Sequence, residues 1–481
     1  MIPEVLPESQ DFNSLIEEEK IFLEEQANKL YTKYLNKLPN FAFDNDTVTA
    51  YGNFVCIDKF KEINGLKDDI VDNVVLNRAS NTTYSDLEII EHMINNNILG
   101  NHCFAHYNDL ANDPGFMRIT ENDTLPDEST CRKALNNIEI ATIHQLKQVM
   151  NSLNKKKAKL DGPREVWISI DDSVSELYGN QENSSKGYNP KRKGAASYKI
   201  KVAFIQGTDE LVNISLHPGN VHSNGDFVEF FEETISNLPS NTILKGVLVD
   251  RGFFSEENCK LFEEKELLYL LKAKMYKSLK KHALEIPEDQ WQYVGSNYWV
   301  AEKRCRLNNW NFERRFVFIR QEKTRTKKNK NQLSLPTMET YFDYQAIVTN
   351  LEEDTSPENC WHQYNQRAIV ENKIEELKNG YAVDKNSQNK FLKNYFDILI
   401  KSIAYNLLNW FKHALLPANL VNSSIRTIRR IFINIPANIV KKGGRKLTVR
   451  LPKINRVKQI IESMKDRLFM FAFRQCYNSL Y

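Results

Sequence analysis

The chain has 481 residues, 41% apolar and 26% charged, with a net charge of +3. That length predicts several domains, and the apolar share is ample for a core. No apolar run reaches the ~18 residues that span a bilayer, so no membrane association is expected. The acidic opening MIPEVLPESQDF has no basic, apolar leader, and the seven cysteines are scattered without a CxxC pair. An intracellular protein without a disulfide framework or zinc site is expected.

Charge is uneven. Residues 1–60 carry a net −6 and residues 421–481 a net +12. The basic end suggests a polyanion partner, while the acidic start suits a solvated helix or a partner for a basic surface. Residues 1–160 read as a helical region. A helix over 14–38 sets Leu15, Phe22, Leu30 and Leu38 among charges, and another starts after Ser85 and runs over 84–97. TLPDESTCRKAL (124–135) gives a capped helix carrying Arg132 and Lys133. It suits the second helix of a helix-turn-helix as well as an ordinary capped helix. A helix follows over 139–154, and the basic run and Gly-Pro of KKKAKLDGPRE (155–165) read as a linker.

From about 161 the pattern changes. VWISID (166–171), SYKIKVAFIQ (197–206) and ELVNISLH (210–217) are strand-like. GDFVEFFEETISNL (225–238) is an amphipathic helix and KGVLVD (245–250) a buried strand. SEENCKLFEEK (255–265) is a helix capped by Ser255, and LLYLLKAK (267–274) is a strand. Residues 161–275 thus form the first part of a core, and 276–343 a β-rich insertion with Trp291, Trp299, Trp310 and the basic loop EKTRTKKNKNQ (322–332). Residues 344–420 form its second part, with a strand at YQAIVTN (344–350), a helix in WHQYNQRAIVENKIEELKNG (361–380) and a long apolar helix over 390–415. The basic region 421–481 holds SSIRTIRR (423–430), PKINRVKQ (452–459), and a KKGG turn into the strand KLTVRL (446–451).

Two strands end in carboxylates, Asp171 and Asp250, where an α/β sheet gathers polar side chains. The element order fits a ribonuclease H-like core, a mixed five-stranded sheet with flanking helices, in which the first and fourth strands are neighbours. On the 361–380 helix, Tyr364, Arg367, Glu371 and Lys378 lie within roughly 60° of one another, beside an apolar stripe of Val370, Ile374, Leu377 and Tyr381. A plain ion-paired face would look the same. Yet Glu371 would complete a cluster with Asp171 and Asp250, and like charges gathered together make chemical sense around hard cations. Two Mg²⁺ ions, replaceable by Mn²⁺, would suit oxygen ligands and in-line phosphoryl transfer.

Here the chain resembles the DDE transposases of bacterial insertion sequences. Tyr364, Arg367, Glu371 and Lys378 match every position of the cut-and-paste group's signature Y-x-x-R-x-x-x-E-x-x-x-x-x-x-K. IDDSVSELYGNQE (170–182), KGYNP (186–190), HPGN (217–220), DRGFFSEE (250–257), IVTN (347–350) and AYNLLNWF (404–411) also resemble the group. They are most similar to the subgroup with LYG.QE, KGYNP and PGN stretches. The resemblance covers about residues 125–450.

It implies a catalytic, metal-binding triad of Asp171, Asp250 and Glu371, with Asp172 and Glu375 as the competing neighbours. It implies backbone contacts to double-stranded DNA by Tyr364, Arg367 and Lys378. Lys186, Lys191, Arg192 and Lys193 in the loop after Asp171, with Arg132, Lys133, Arg429, Arg430, Lys441, Lys442 and Arg445, are further DNA-binding candidates. The 121 residues from Asp250 to Glu371 suggest the β-rich insertion, where Trp299 and Trp310 are candidates for base stacking or for the core. The implied protein is a transposase, a magnesium-dependent endonuclease that binds terminal inverted repeats and joins 3′ ends to target DNA. It would act as a homodimer, in a bacterial cytoplasm at the nucleoid. The intact triad disfavours a domesticated DNA-binding protein, and the extra regions disfavour a stand-alone ribonuclease H-like nuclease.

Overall fold

The computed structural model describes residues 17–37, 39, 44–187, 189, 192–327, 337–442 and 446–480. Two compact units are present, Met1–Asp46 and Thr47–Tyr481. The first holds the helix Glu17–Leu35, on which Phe22, Tyr31 and Tyr34 are exposed.

The second unit starts with a short strand, β1 (Val48–Thr49), and a group of helices. Helix Asp86–Leu99 begins at Ser85, which forms a capping box with Glu88, as its sequence predicts. Every residue from Ile89 to Leu99 is buried. The helix Ile140–Asp161 corrects the expected linker, because it runs straight through KKKAKLD to Gly162 at φ +81°. The lysines there are held by partners: Lys156 bonds to Asp69 at 2.7 Å, and Lys157 to Glu210 at 2.7 Å. Paired charges with buried stems extend the helix where a solvated basic run would have ended it.

A mixed sheet follows. Its strands are β2 (Arg164–Glu176), β3 (Ser185–Lys186), β4 (Ala196–Ile205), β5 (Leu211–Pro218), β6 (Thr242–Val249), β7 (Leu268–Lys272), β8 (Gln292–Gly295), β9 (Tyr298–Cys305), β10 (Arg314–Lys327) and β11 (Thr337–Thr349). The order is β3-β4-β2-β6-β7-β11-β10-β9-β8, with β5 also on β4. β2 and β6 run parallel, as do β6 and β7, while β4 and β5 are antiparallel additions. The stretch expected as an insertion is therefore no separate body. β11 bonds to β7 through Ile347 and Lys272, and the hairpin of β10 and β11 widens the same sheet.

Helices cover both faces. Ile168, Ile170, Val247 and Val249 pack with Phe227, Phe231 and Phe262 of helices Phe227–Asn237 and Glu256–Glu264. On the other face, β4 and β5 meet helix Phe391–Leu415, which is buried for most of its length. That helix also packs against Ile140–Asp161, Asp86–Leu99 and the last helix, Asn455–Leu480. The basic end is woven into this core: β12 (Ala437–Lys442) and β13 (Lys446–Arg450) pair antiparallel, β12 pairs with β1, and the glycines of the expected KKGG turn lie outside the described residues. Residues 47–160 and 421–481 therefore share one core with the sheet.

Candidate active site

Ile170 of β2 lies opposite Val249 of β6. Each is followed by an aspartate, so Asp171 and Asp250 stand side by side where the parallel pairing ends; β2 itself runs on past Asp171 to Glu176 along β4, which corrects the expected strand end. The predicted 361–380 helix is two helices, Pro357–Asn365 and Ala368–Tyr381. Between them the backbone bonds close i→i+3, as from Arg367 N to Tyr364 O. Val370, Leu377 and Tyr381 anchor the second helix in the core and bring Glu371, in its first turn, to the two aspartates.

Arg367 sits in the middle, at the break. Its guanidinium donates to Asp171 Oδ2 at 2.9 Å and Glu371 Oε1 at 2.8 Å, and lies 3.7 Å from Asp250 Oδ1. Its Nε donates to the Tyr364 hydroxyl at 3.1 Å. Asp172 faces elsewhere, with Oδ2 at 3.7 Å from Lys199. Burial pushes the Asp171 carboxyl up to about 7; Arg367 pulls it down, and the neighbouring Asp250 and Asp172 push it further up.

Among the described residues no three His, Cys, Asp or Glu side chains stand close enough to hold a metal ion. A guanidinium fills the centre of the group instead. The donor chemistry nonetheless fits a hard divalent cation: three carboxylates share the Arg367 guanidinium, and burial, with Asp250 and Asp172 nearby, disfavours the charged form of Asp171. Asp171, Asp250 and Glu371 would be the ligands once Arg367 is turned aside.

A cleft of about 1150 Å³ opens beside Asp250 and Asp172. Lys378, Lys199, Arg251, Lys272 and Lys274 line it. Lys378 donates to Val174 O at 3.2 Å. Lys272 lies 6.0 Å over the Tyr364 ring. Lys272 is not among the residues that the sequence singles out, although it ends β7 just as Asp250 follows β6. The position of a strand end, applied to cations as well as acids, would have found it.

The stretches LYGNQE, KGYNP and HPGN are largely positioning elements. A Cβ on Gly187 would stand 1.8 Å from Gly219 O, so KGYNP and HPGN cross backbone to backbone. Ser185 and Asn220 clamp the crossing with bonds of 2.9 and 3.1 Å. His217 Nδ1 lies 2.8 Å from Asp226, and Ser215 lies 2.7 Å from its Nε2, which fixes the loop along the cleft wall. Glu182 accepts from Phe391 N at 2.9 Å and so closes the start of the long buried helix.

Other sequence candidates scatter. Tyr364 is buried, with its hydroxyl engaged by Arg367, so it is no surface DNA contact here. Arg429 is likewise a correction. It is buried and donates to the Ile98, Gly380 and Asn97 carbonyls at 2.7, 2.8 and 2.7 Å, satisfying helix ends rather than facing solvent. Arg430, Lys441, Lys186, Arg192, Lys193 and Lys133 are exposed. Arg132 pairs with Glu128 at 2.7 Å and lies over Phe104. Lys442 ends β12, and Lys191, Arg445 and residues 328–332 of the basic loop lie outside the described residues. Trp299 and Trp310 are half-buried in aromatic clusters: Trp299 with Tyr293 and Phe342, at 5.1 and 5.6 Å, and Trp310 with Phe254 at 5.2 Å.

Residues 36–472 match the family Transposase DDE domain group 1. The chain belongs to that family. The transposase is therefore an enzyme that cleaves and transfers DNA. Among curated proteins none matches it. A solved structure, a piggyBac transposase synaptic complex with hairpin DNA, is similar at 15% identity and a TM-score of 0.41, over 78% of each chain. No helix among the transposase's described residues is long and apolar enough to cross a membrane.

Proposed function

We propose that this transposase binds the terminal inverted repeats of a bacterial insertion sequence, cuts the element's ends, and joins the 3′ ends to target DNA. The observation that supports it is that Asp171, Asp250 and Glu371 meet on one guanidinium, that of Arg367, beside the end of the β2–β6 parallel pairing. The core is read as ribonuclease H-like, and Tyr364, Arg367, Glu371 and Lys378 as its Y-R-E-K set.

The three carboxylates are assigned as ligands of two Mg²⁺ ions, with Mn²⁺ able to replace them. Such ions supply an acidified water or 3′-hydroxyl and charge neutralisation at the scissile phosphate. The chain's own residues do the rest. Asp171 and Asp250 are held by the sheet and Glu371 by its helix, so their spacing costs little reorganisation during the reaction. Lys272 and Lys378 hold the phosphates of a strand in the cleft in line for displacement. In cutting, water oxygen bonds to phosphorus as the bond to the 3′ oxygen breaks. In joining, that 3′ oxygen attacks a target phosphate and releases a new 3′ hydroxyl. Lys186, Arg192, Lys193, Arg132, Lys133, Arg430 and Lys441 are assigned to DNA backbones. Two ends must be joined together, so the working form is a homodimer on paired ends, at the bacterial nucleoid.

The test uses DNA carrying the element's ends, with Mg²⁺. Asp171→Ala, Asp250→Ala and Glu371→Ala should each abolish cleavage and leave DNA binding intact, while Asp172→Ala still cuts. Normal cutting by Asp171→Ala would overturn the assignment. Sizing the complex under cleavage conditions tests the dimer: one protein on one DNA would count against it.

A further inference from the structure

We propose that Arg367 is an internal counter-ion, which keeps the three carboxylates assembled and keeps cations out until a DNA phosphate draws it away. This rests on the metal-site reading above and goes beyond it. Arg367 is 7% exposed, and its Nε, Nη1 and Nη2 are all directed at Tyr364, Asp171, Glu371 and Asp250. A forked contact with a phosphate needs the same N–H groups. The side chain therefore serves the carboxylates or a phosphate, not both. A divalent ion among the carboxylates competes with the guanidinium for the same oxygens and is repelled by its charge.

The position suits an exchange. Arg367 lies at the break between two helices, where reorienting it unwinds neither of them. The Glu371 carboxylate is 62% exposed, so it can leave the guanidinium without a core rearrangement. Asp171 is fixed in β2, and its other oxygen accepts from Asp172 N at 2.8 Å. Of the cations nearby, Lys378 donates to Val174 O, and Lys272 lies over the Tyr364 ring and feels the charges of Asp250 and Glu371, whereas Arg367 bonds directly to Asp171 and Glu371. End DNA and metal then bind with positive coupling, each favouring the state with Arg367 withdrawn, and the coupling is reciprocal. An enzyme without DNA would hold little metal at its cutting site.

The decisive measurement is Mn²⁺ binding to the full chain without DNA, by calorimetry or by the spin signal of free Mn²⁺. Arg367→Ala and Arg367→Gln should bind Mn²⁺ at least about tenfold more tightly than the unsubstituted protein. Arg367→Lys, which keeps the charge, should stay within about threefold of it. Melting curves identify which of the two neutral variants is folded and scored. A folded neutral variant that binds Mn²⁺ no better than the unsubstituted protein overturns the counter-ion role and leaves the metal site standing. If a neutral Arg367 variant gains Mn²⁺ binding that a second substitution, Asp171→Ala, leaves unchanged, the metal site and this inference fall together.

Discussion

If Asp171 is a metal ligand as proposed, cleavage should depend on pH. Its carboxyl is raised to about 7, chiefly by burial, so below that pH it carries a proton and is a poor ligand. Cleavage should climb about tenfold per pH unit below 7 and level off above 8, measured at fixed metal and DNA. Arg367 and Asp250 face this carboxyl and the charge of neighbouring Asp172 also acts on it, so Asp172→Asn should move the midpoint down by removing a like charge. Two adjacent arginines separate structure from binding. Arg429→Ala strands three buried carbonyls and should cost about 3 kcal/mol in urea unfolding. Arg430→Ala should leave stability within about 0.5 kcal/mol and flatten the salt dependence of DNA binding by about one unit of slope. From sequence the two look alike, since no local pattern says which of two neighbours meets a distant helix end.

At the scale of elements, most of the chain was legible. Alternating and continuous apolar runs gave the strands, KLTVRL among them, and Ser85 and Ser255 announced their helices. The aspartates could be placed because each follows an apolar run, although β2 continues past Asp171 to Glu176. Legibility failed where a long-range partner overrides local chemistry. The lysines of 155–159 looked like a solvated linker because Asp69 and Glu210 are remote in sequence. The break at Arg367 was invisible because no proline or glycine marks it. Helix Asp86–Leu99 adds an acid sensitivity of its own. Burial lowers His92 to about 4 and His102, just after the helix, to about 3. Above pH 6.5 both are neutral folded and unfolded, so stability is full there. Below it the unfolded chain takes protons first, and stability falls as pH drops. By pH 5 each should cost about 2 kcal/mol, and His102→Gln should flatten that slope in melts run from pH 7.5 to 5.

For the molecule, the buried helix Phe391–Leu415 ties the catalytic sheet to helices from both ends of the chain. A chain cut to residues 161–420 should not fold, because the outer face of that helix would be bare. Calorimetry of residues 47–481 should give one cooperative transition; two separable peaks would refute the shared core.

The hairpin of β10 and β11 sets a rule of parity for sequence change. Its partners pair one for one from Arg315↔Thr349 to Lys327↔Thr337, and the inner end of β11 pairs directly with β7. Trimming the tip by matched pairs keeps every side chain on its own face. Deleting one residue within β10 turns the residues beyond it through the sheet. Arg320, 4.5 Å from both the Trp291 and Phe342 rings and bonded to Glu288, would then exchange faces with a neighbour. Length variants of this enzyme should therefore tolerate even steps at the hairpin tip and reject odd ones inside it, a constraint set by pleat geometry and not by anything the hairpin touches.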